Sequence, residues 1–208
     1  MHRRLTGTDP NRLMETMEEF DAAVVSRARA GDDEAFRALV ERHSRSIFRL
    51  AYRMTGSESD AEDVVQETFL RAYRQLNRFE ARANFGTWLY RIGVNCSLDL
   101  MRSRRRHEDR RDPMDPEQAG NMPSLVGSVP GPDREVYAAE LQEIVLSALE
   151  CLSPMERSAF VLRHFEGMSI REVGRALGLR ANATKHSIFR AVRKMRRALE
   201  PVMSVIRT

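Results

Sequence analysis

Cysteine is scarce in this chain of 208 residues. Only Cys96 and Cys151 occur, which excludes a disulfide scaffold and a cysteine-rich metal site. No stretch approaches the ~18 apolar residues of a membrane-spanning helix, so the chain reads as not itself a membrane protein. The N-terminal Met-His-Arg-Arg-Leu-Thr has bases without an apolar segment behind them, which argues against a secretory leader. Lysine is almost missing: Lys185 and Lys194 are the only two among 34 basic residues. Catalytic signatures are missing too. The five histidines form no HExxH pair or Cys/His cluster, and no glycine-rich phosphate loop or Gly-x-Ser-x-Gly elbow occurs. The expectation is therefore no enzyme, no metal, no cofactor and no small-molecule substrate.

What is present is charge, 31% of residues, with a net of only +4. Its placement is uneven. Residues 113–133 hold five of the eight prolines and three glycines, a composition that reads as a linker. By our count, residues 1–112 carry net +2, the linker −3 and residues 134–208 net +5. Two helical units on an acidic tether are implied. Arg102, Arg104, Arg105, Arg106, Arg110 and Arg111 crowd the end of the first unit. Arg180, Lys185, Arg190, Arg193, Lys194, Arg196 and Arg197 dominate the end of the second. One basic cluster is an ordinary solvated face; two, each ending a helical unit, suit neutralisation of nucleic-acid phosphates. Glu58, Asp60, Glu62, Asp63 and Glu67 form an acidic run between them in kind and place.

Apolar spacing is helical throughout, so the fold class is all-α, with the second unit a helix-turn-helix. A stripe of Leu13, Met17, Phe20, Val24 and Ala28 ends at Gly31. A second helix starts at Ala35 and ends at Gly56. Ser59 with Glu62 has capping-box spacing, followed by Ala61, Val64, Val65, Phe69, Ala72, Tyr73 and Leu76 as a buried stripe. A polar loop, 80–84, precedes a helix with Trp88, Leu89, Ile92, Val94, Cys96 and Leu98. In the second unit a stripe of Tyr137, Leu141, Ile144, Val145, Ala148, Leu149 and Leu152 comes first. Ser153-Pro154-Met155-Glu156 and Ser169 with Glu172 are helix starts. Cys96 and Cys151 both fall on these stripes and read as core.

The short helix from Ser169 to Gly178, the turn Gly178-Leu179-Arg180 and the basic helix behind it form a helix-turn-helix pattern. Asn182 is placed to cap the second helix, whose early residues would reach base edges in the major groove.

Residues 152–199, LSPMERSAFVLRHFEGMSIREVGRALGLRANATKHSIFRAVRKMRRAL, resemble the C-terminal domain of extracytoplasmic-function sigma factors of RNA polymerase. Residues 31–74 and 85–106, with the phrases DAEDVVQETFLRAY and TWLYRIGVN, resemble their N-terminal domain. The resemblance implies four parts: an N-terminal extension, 1–30; a domain for core binding, melting and minus-ten recognition, 31–112; a linker, 113–133; and a minus-thirty-five domain, 134–208. It implies core RNA polymerase and promoter DNA as partners, control by an anti-sigma factor, and a cytoplasmic location.

The resemblance also assigns roles. Asp60, Glu62, Asp63, Gln66 and Glu67 would face core polymerase. Phe79, Arg82, Asn84, Phe85, Trp88, Tyr90, Arg91, Asn95, Asp99 and Arg102 would serve melting and the minus-ten element, where aromatic planes beside cations suit unpaired bases. Trp88, beside Leu89 and Ile92, reads more readily as a core anchor. Arg171, Arg180, Asn182, Thr184, Lys185, His186, Phe189, Arg190 and Arg193 would read the minus-thirty-five element. Residues 180–187 depart from the common family wording, which leaves the base contacts open. The rival reading is a stand-alone helix-turn-helix regulator binding duplex DNA.

Overall fold

In a computed structural model of the full chain, residues 21–79, 84–108 and 132–206 are described. The expected linker (except its last two residues), the first twenty residues and Arg82 lie outside them. All regular elements among the described residues are helical. They are α1 (21–29), α2 (Asp33–Thr55), α3 (Glu58–Gln75) with a 3₁₀ turn Leu76–Arg78, α4 (Phe85–Glu108), α5 (Pro132–Glu150), α6 (Pro154–Phe160) running into a π turn Val161–Phe165, α7 (Ile170–Leu177) and α8 (Ala181–Ile206).

Local chemistry sets the boundaries. Gly31 turns at φ +94°, and the Asp32 carboxylate then accepts the Ala35 N–H to start α2. Gly56 closes α2 in the left-handed conformation. Because only one residue remains before α3, the cap of α3 is Ser57, not Ser59: its hydroxyl accepts the Asp60 N–H at 3.4 Å. The expected capping boxes at Ser153/Glu156 and Ser169/Glu172 both form, each with its two reciprocal hydrogen bonds.

Helices α2, α3 and α4 pack pairwise around Leu39, Ile47, Val64, Phe69, Leu89 and Cys96, with Val24, Val25 and Ala28 of α1 against them. A second core joins α5–α8 through Leu149, Leu162, Met168, Val173, Ala191 and Met195. This core also takes Leu50, Met54, Val94 and Leu98 from the first unit, so the two units lie against each other. Polar contacts reinforce the junction. Buried Arg157 donates from Nε to the Leu149 carbonyl at 2.9 Å and from Nη1 to the Met54 carbonyl at 2.8 Å. One cation thus donates to carbonyls at the ends of both α5 and α2, where helix dipoles favour positive charge. Arg53 pairs with Glu166 at 3.4 Å and covers the Phe165 ring at 4.2 Å.

Some expected core positions are not core. Tyr73 is 53% exposed; its ring meets Phe36 edge-on. Leu141 and Cys151 are exposed, at the open side of α5.

Candidate nucleic-acid interface

Helix α8 sorts its side chains by period. Thr184, Ser187, Ala191 and Met195 are buried, whereas Asn182, Lys185, His186, Phe189 and Arg193 are exposed in an outward row. Phe189 is 65% exposed, a large apolar ring among cations. Arg180 and Arg171 are exposed at the turn and on α7.

Thr184 is corrected: it cannot touch DNA. Its hydroxyl donates to the Arg180 carbonyl at 3.1 Å, and it fills the angle between α7 and α8. Gly174 makes that angle possible, since a Cβ there would lie 2.9 Å from the Thr184 Oγ1 and 3.0 Å from the Leu179 carbonyl oxygen. A glycine in the middle of a short capped helix is the signal that would have located this crossing. Gly178 ends α7 at φ +66°. Asn182 is not a cap; α8 begins one residue earlier, and Asn182 lies exposed in its first turn.

Glu156 reaches α8 from the start of α6. It receives Arg190 Nε at 3.2 Å and Lys194 Nζ at 2.7 Å, as well as the Ser153 N–H at 3.0 Å. Burial alone would raise its carboxyl, but the Lys194 hydrogen bond and the Ser153 backbone outweigh it and hold the group at about 2.

In the first unit, Phe79 and Phe85 are buried and form an aromatic cluster with half-buried Trp88, with centroids 5.1–5.9 Å apart. The Phe79 and Phe85 rings are turned into the core rather than standing open to solvent. Asn84 caps α4: its side-chain oxygen accepts the Thr87 N–H at 2.6 Å. On α4, Arg91, Asn95, Asp99 and Arg102 are exposed and share a face. Tyr90 points the other way. Burial, and a hydrogen bond with Glu166 of the second unit, push its hydroxyl well above the usual range. Asp99 meets Arg71 at 3.1 Å and Arg102 at 3.3 Å.

On α3, Glu62, Asp63 and Gln66 are exposed and Glu67 is half-buried, paired with Arg71. Asp60 is the exception to the expected acidic face. It is buried and ion-paired with Arg104 of α4; burial raises its carboxyl, with Arg104 pulling the other way. The outward row continues instead into exposed Leu70 and Tyr73, which the sequence period had assigned inward for Tyr73 and left unassigned for Leu70. Among the described residues no group of His, Cys, Asp and Glu is arranged to hold a metal ion.

One helical unit thus carries an acidic-apolar face and the other a basic helix-turn-helix. Residues 39–107 match the family Sigma-70 region 2, and residues 142–195 match Sigma-70 region 4. The chain is 37% identical over 86% of its length to the RNA polymerase sigma factor NccH of Alcaligenes xylosoxydans xylosoxydans, covering 95% of that protein. It is 32% identical over 88% of its length to the ECF RNA polymerase sigma-E factor of Haemophilus influenzae, covering 97% of it. Among solved structures it resembles CnrH, bound there to the cytosolic domain of CnrY, at 30% identity and a TM-score of 0.64, over 88% of this chain and 98% of that one. It also resembles the sigma factor RpoE of Bartonella quintana, bound there to the anti-sigma factor NepR, at 25% identity and a TM-score of 0.63, over 79% of this chain and 96% of that one. The chain belongs to the extracytoplasmic-function (ECF) sigma factors of RNA polymerase, and its function is promoter-specific initiation of transcription.

Proposed function

We propose a division of labour between the two units. The exposed row Glu62, Asp63, Gln66, Leu70 and Tyr73 of α3 docks on core RNA polymerase, an apolar centre with an acidic rim. The α4 face Arg91, Asn95, Asp99 and Arg102, with the loop ahead of it, takes the minus-ten element, single-stranded once opened. The α8 row Asn182, Lys185, His186, Phe189 and Arg193, with Arg171 and Arg180, takes the minus-thirty-five duplex. Domain limits follow the same division: 31–112 for polymerase and minus-ten, 113–133 as tether, 134–208 for minus-thirty-five. The chain itself catalyses nothing and works in the cytoplasm, where its polymerase is. An anti-sigma factor that covers one or both faces is its regulator, in line with the partners named for CnrH and RpoE.

The observation that carries this reading is the separation of the two exposed faces: acids and apolar groups on α3, bases on α8, in different units of one chain. Run-off transcription from promoter-bearing fragments tests it. Specific transcripts are expected only when both the chain and core polymerase are present. Tight footprinting of a palindromic duplex by the chain alone, with no binding to core, would instead establish the stand-alone regulator.

A further inference from the structure

The α8 cations are not equivalent. Those on the outward row project to solvent, whereas Arg190 and Lys194, one helical turn apart, both end on Glu156. The Glu156 side chain is only 6% exposed, and its oxygens also close the capping box of α6. A carboxylate taken out of water demands compensation, and here two cations supply it. Both side chains stay part-exposed, 55% for Arg190 and 41% for Lys194, with Arg190 Nε and Lys194 Nζ turned to this carboxylate. The same contacts join the start of α6 to the flank of α8 at two levels, which opposes rotation of α8 about its own axis. That rotation decides which residues meet base edges.

We propose that Glu156 is a positioning residue for promoter reading: by tying Arg190 and Lys194 to the start of α6, it fixes the roll of α8 and keeps two cations off the DNA backbone, favouring discrimination over non-specific affinity. The inference rests on α8 being the minus-thirty-five reader. It goes further in removing Arg190 from the set of direct contacts and in naming a carboxylate that never touches DNA as a determinant of specificity.

Glu156→Gln is the discriminating variant. Glutamine still offers an oxygen to the Ser153 N–H and suits a capping box, so α6 is retained while the charge is lost. The full chain is titrated by fluorescence anisotropy against two probes across a salt series. One probe is a duplex from the minus-thirty-five region of a promoter that the chain and core polymerase transcribe. The other is the same duplex scrambled. On the scrambled duplex, freeing two cations should steepen the slope of log K against log[salt] by about 1 to 2, each phosphate contact contributing ~0.9. The preference for the promoter duplex should fall about tenfold, the scale of one or two lost base contacts. Lys194→Gln should leave the slope unchanged, since that charge is already engaged.

An unchanged slope and preference in Glu156→Gln overturns the proposal. So does a parallel loss on both probes with no change in slope, which is the mark of a merely structural carboxylate. A slope reduced by about 1 in Lys194→Gln also overturns it, because Lys194 would then already contact phosphate. If the unaltered chain prefers neither probe while Glu156→Gln still steepens the slope, the charge-holding role stands and the minus-thirty-five assignment falls.

Discussion

The two units of this chain use their charges differently. In the first, apolar stripes on α2, α3 and α4 supply the core, and Glu62 and Asp63 of α3 remain at the surface. In the second, helices as short as seven and eight residues cannot bury much apolar area alone. Charged groups take structural posts there: Arg157 across the helix ends, Glu156 beneath α8, and glutamates in both capping boxes. The lesson is that basic residues near a DNA-reading helix cannot be assigned by counting. Some hold the helix, and the rest face outward.

If buried charge carries the second unit, removing it should cost at least as much as a large core deletion in the first. Arg157→Ala takes the guanidinium donor from the Met54 and Leu149 carbonyls at the junction, the latter keeping the Leu152 N–H, and should lower stability by about 3–5 kcal/mol. Leu39→Ala, at a fully buried position of the first core, should cost about 3 kcal/mol. Urea unfolding of both variants checks the order. A change below about 1 kcal/mol for Arg157→Ala, the scale of a surface pair, would remove the contrast.

A smaller effect separates two carboxylates by sign. Glu156 is held at about 2, below its ordinary 4.5, so its contribution is present above 4.5 and is lost as pH falls towards 2. Asp60 is raised above its ordinary 3.8, chiefly by burial, so its contribution is present below 3.8 and is lost as pH rises through its folded value. Unfolding across a pH series should therefore show Glu156→Gln approaching the unaltered chain in acid, whereas Asp60→Asn gains on the unaltered chain as pH rises. Parallel pH curves for the two variants would contradict the opposite environments.

Much of the fold was legible because its signals are local. Ser153 with Glu156, Ser169 with Glu172, Gly56 and Gly178 each act within one helical turn, and each marks a boundary where the structure has one. Lys185, His186 and Arg193 of the α8 row were legible too, whereas Thr184 and Arg190, expected beside them, are turned inward and held by Glu156 respectively. What was not legible depends on partners far along the chain. Asp60 is buried by Arg104, 44 residues away, and Arg157 crosses 103 residues to reach Met54. Thr184 turned inward because Gly174 lets α7 approach. Tyr73 and Leu70 share a face that no element among the described residues covers in full, so a stripe read as core extends to the surface.

The central claim is that polymerase binding and duplex reading reside on different units. Two charge reversals measured in two assays test it most directly. Asp63→Lys should weaken binding to core polymerase about tenfold or more, the effect of ~1.4 kcal/mol, and leave affinity for an isolated minus-thirty-five duplex within about twofold. Lys185→Glu should do the opposite. Equal losses in both assays for either variant would contradict the account.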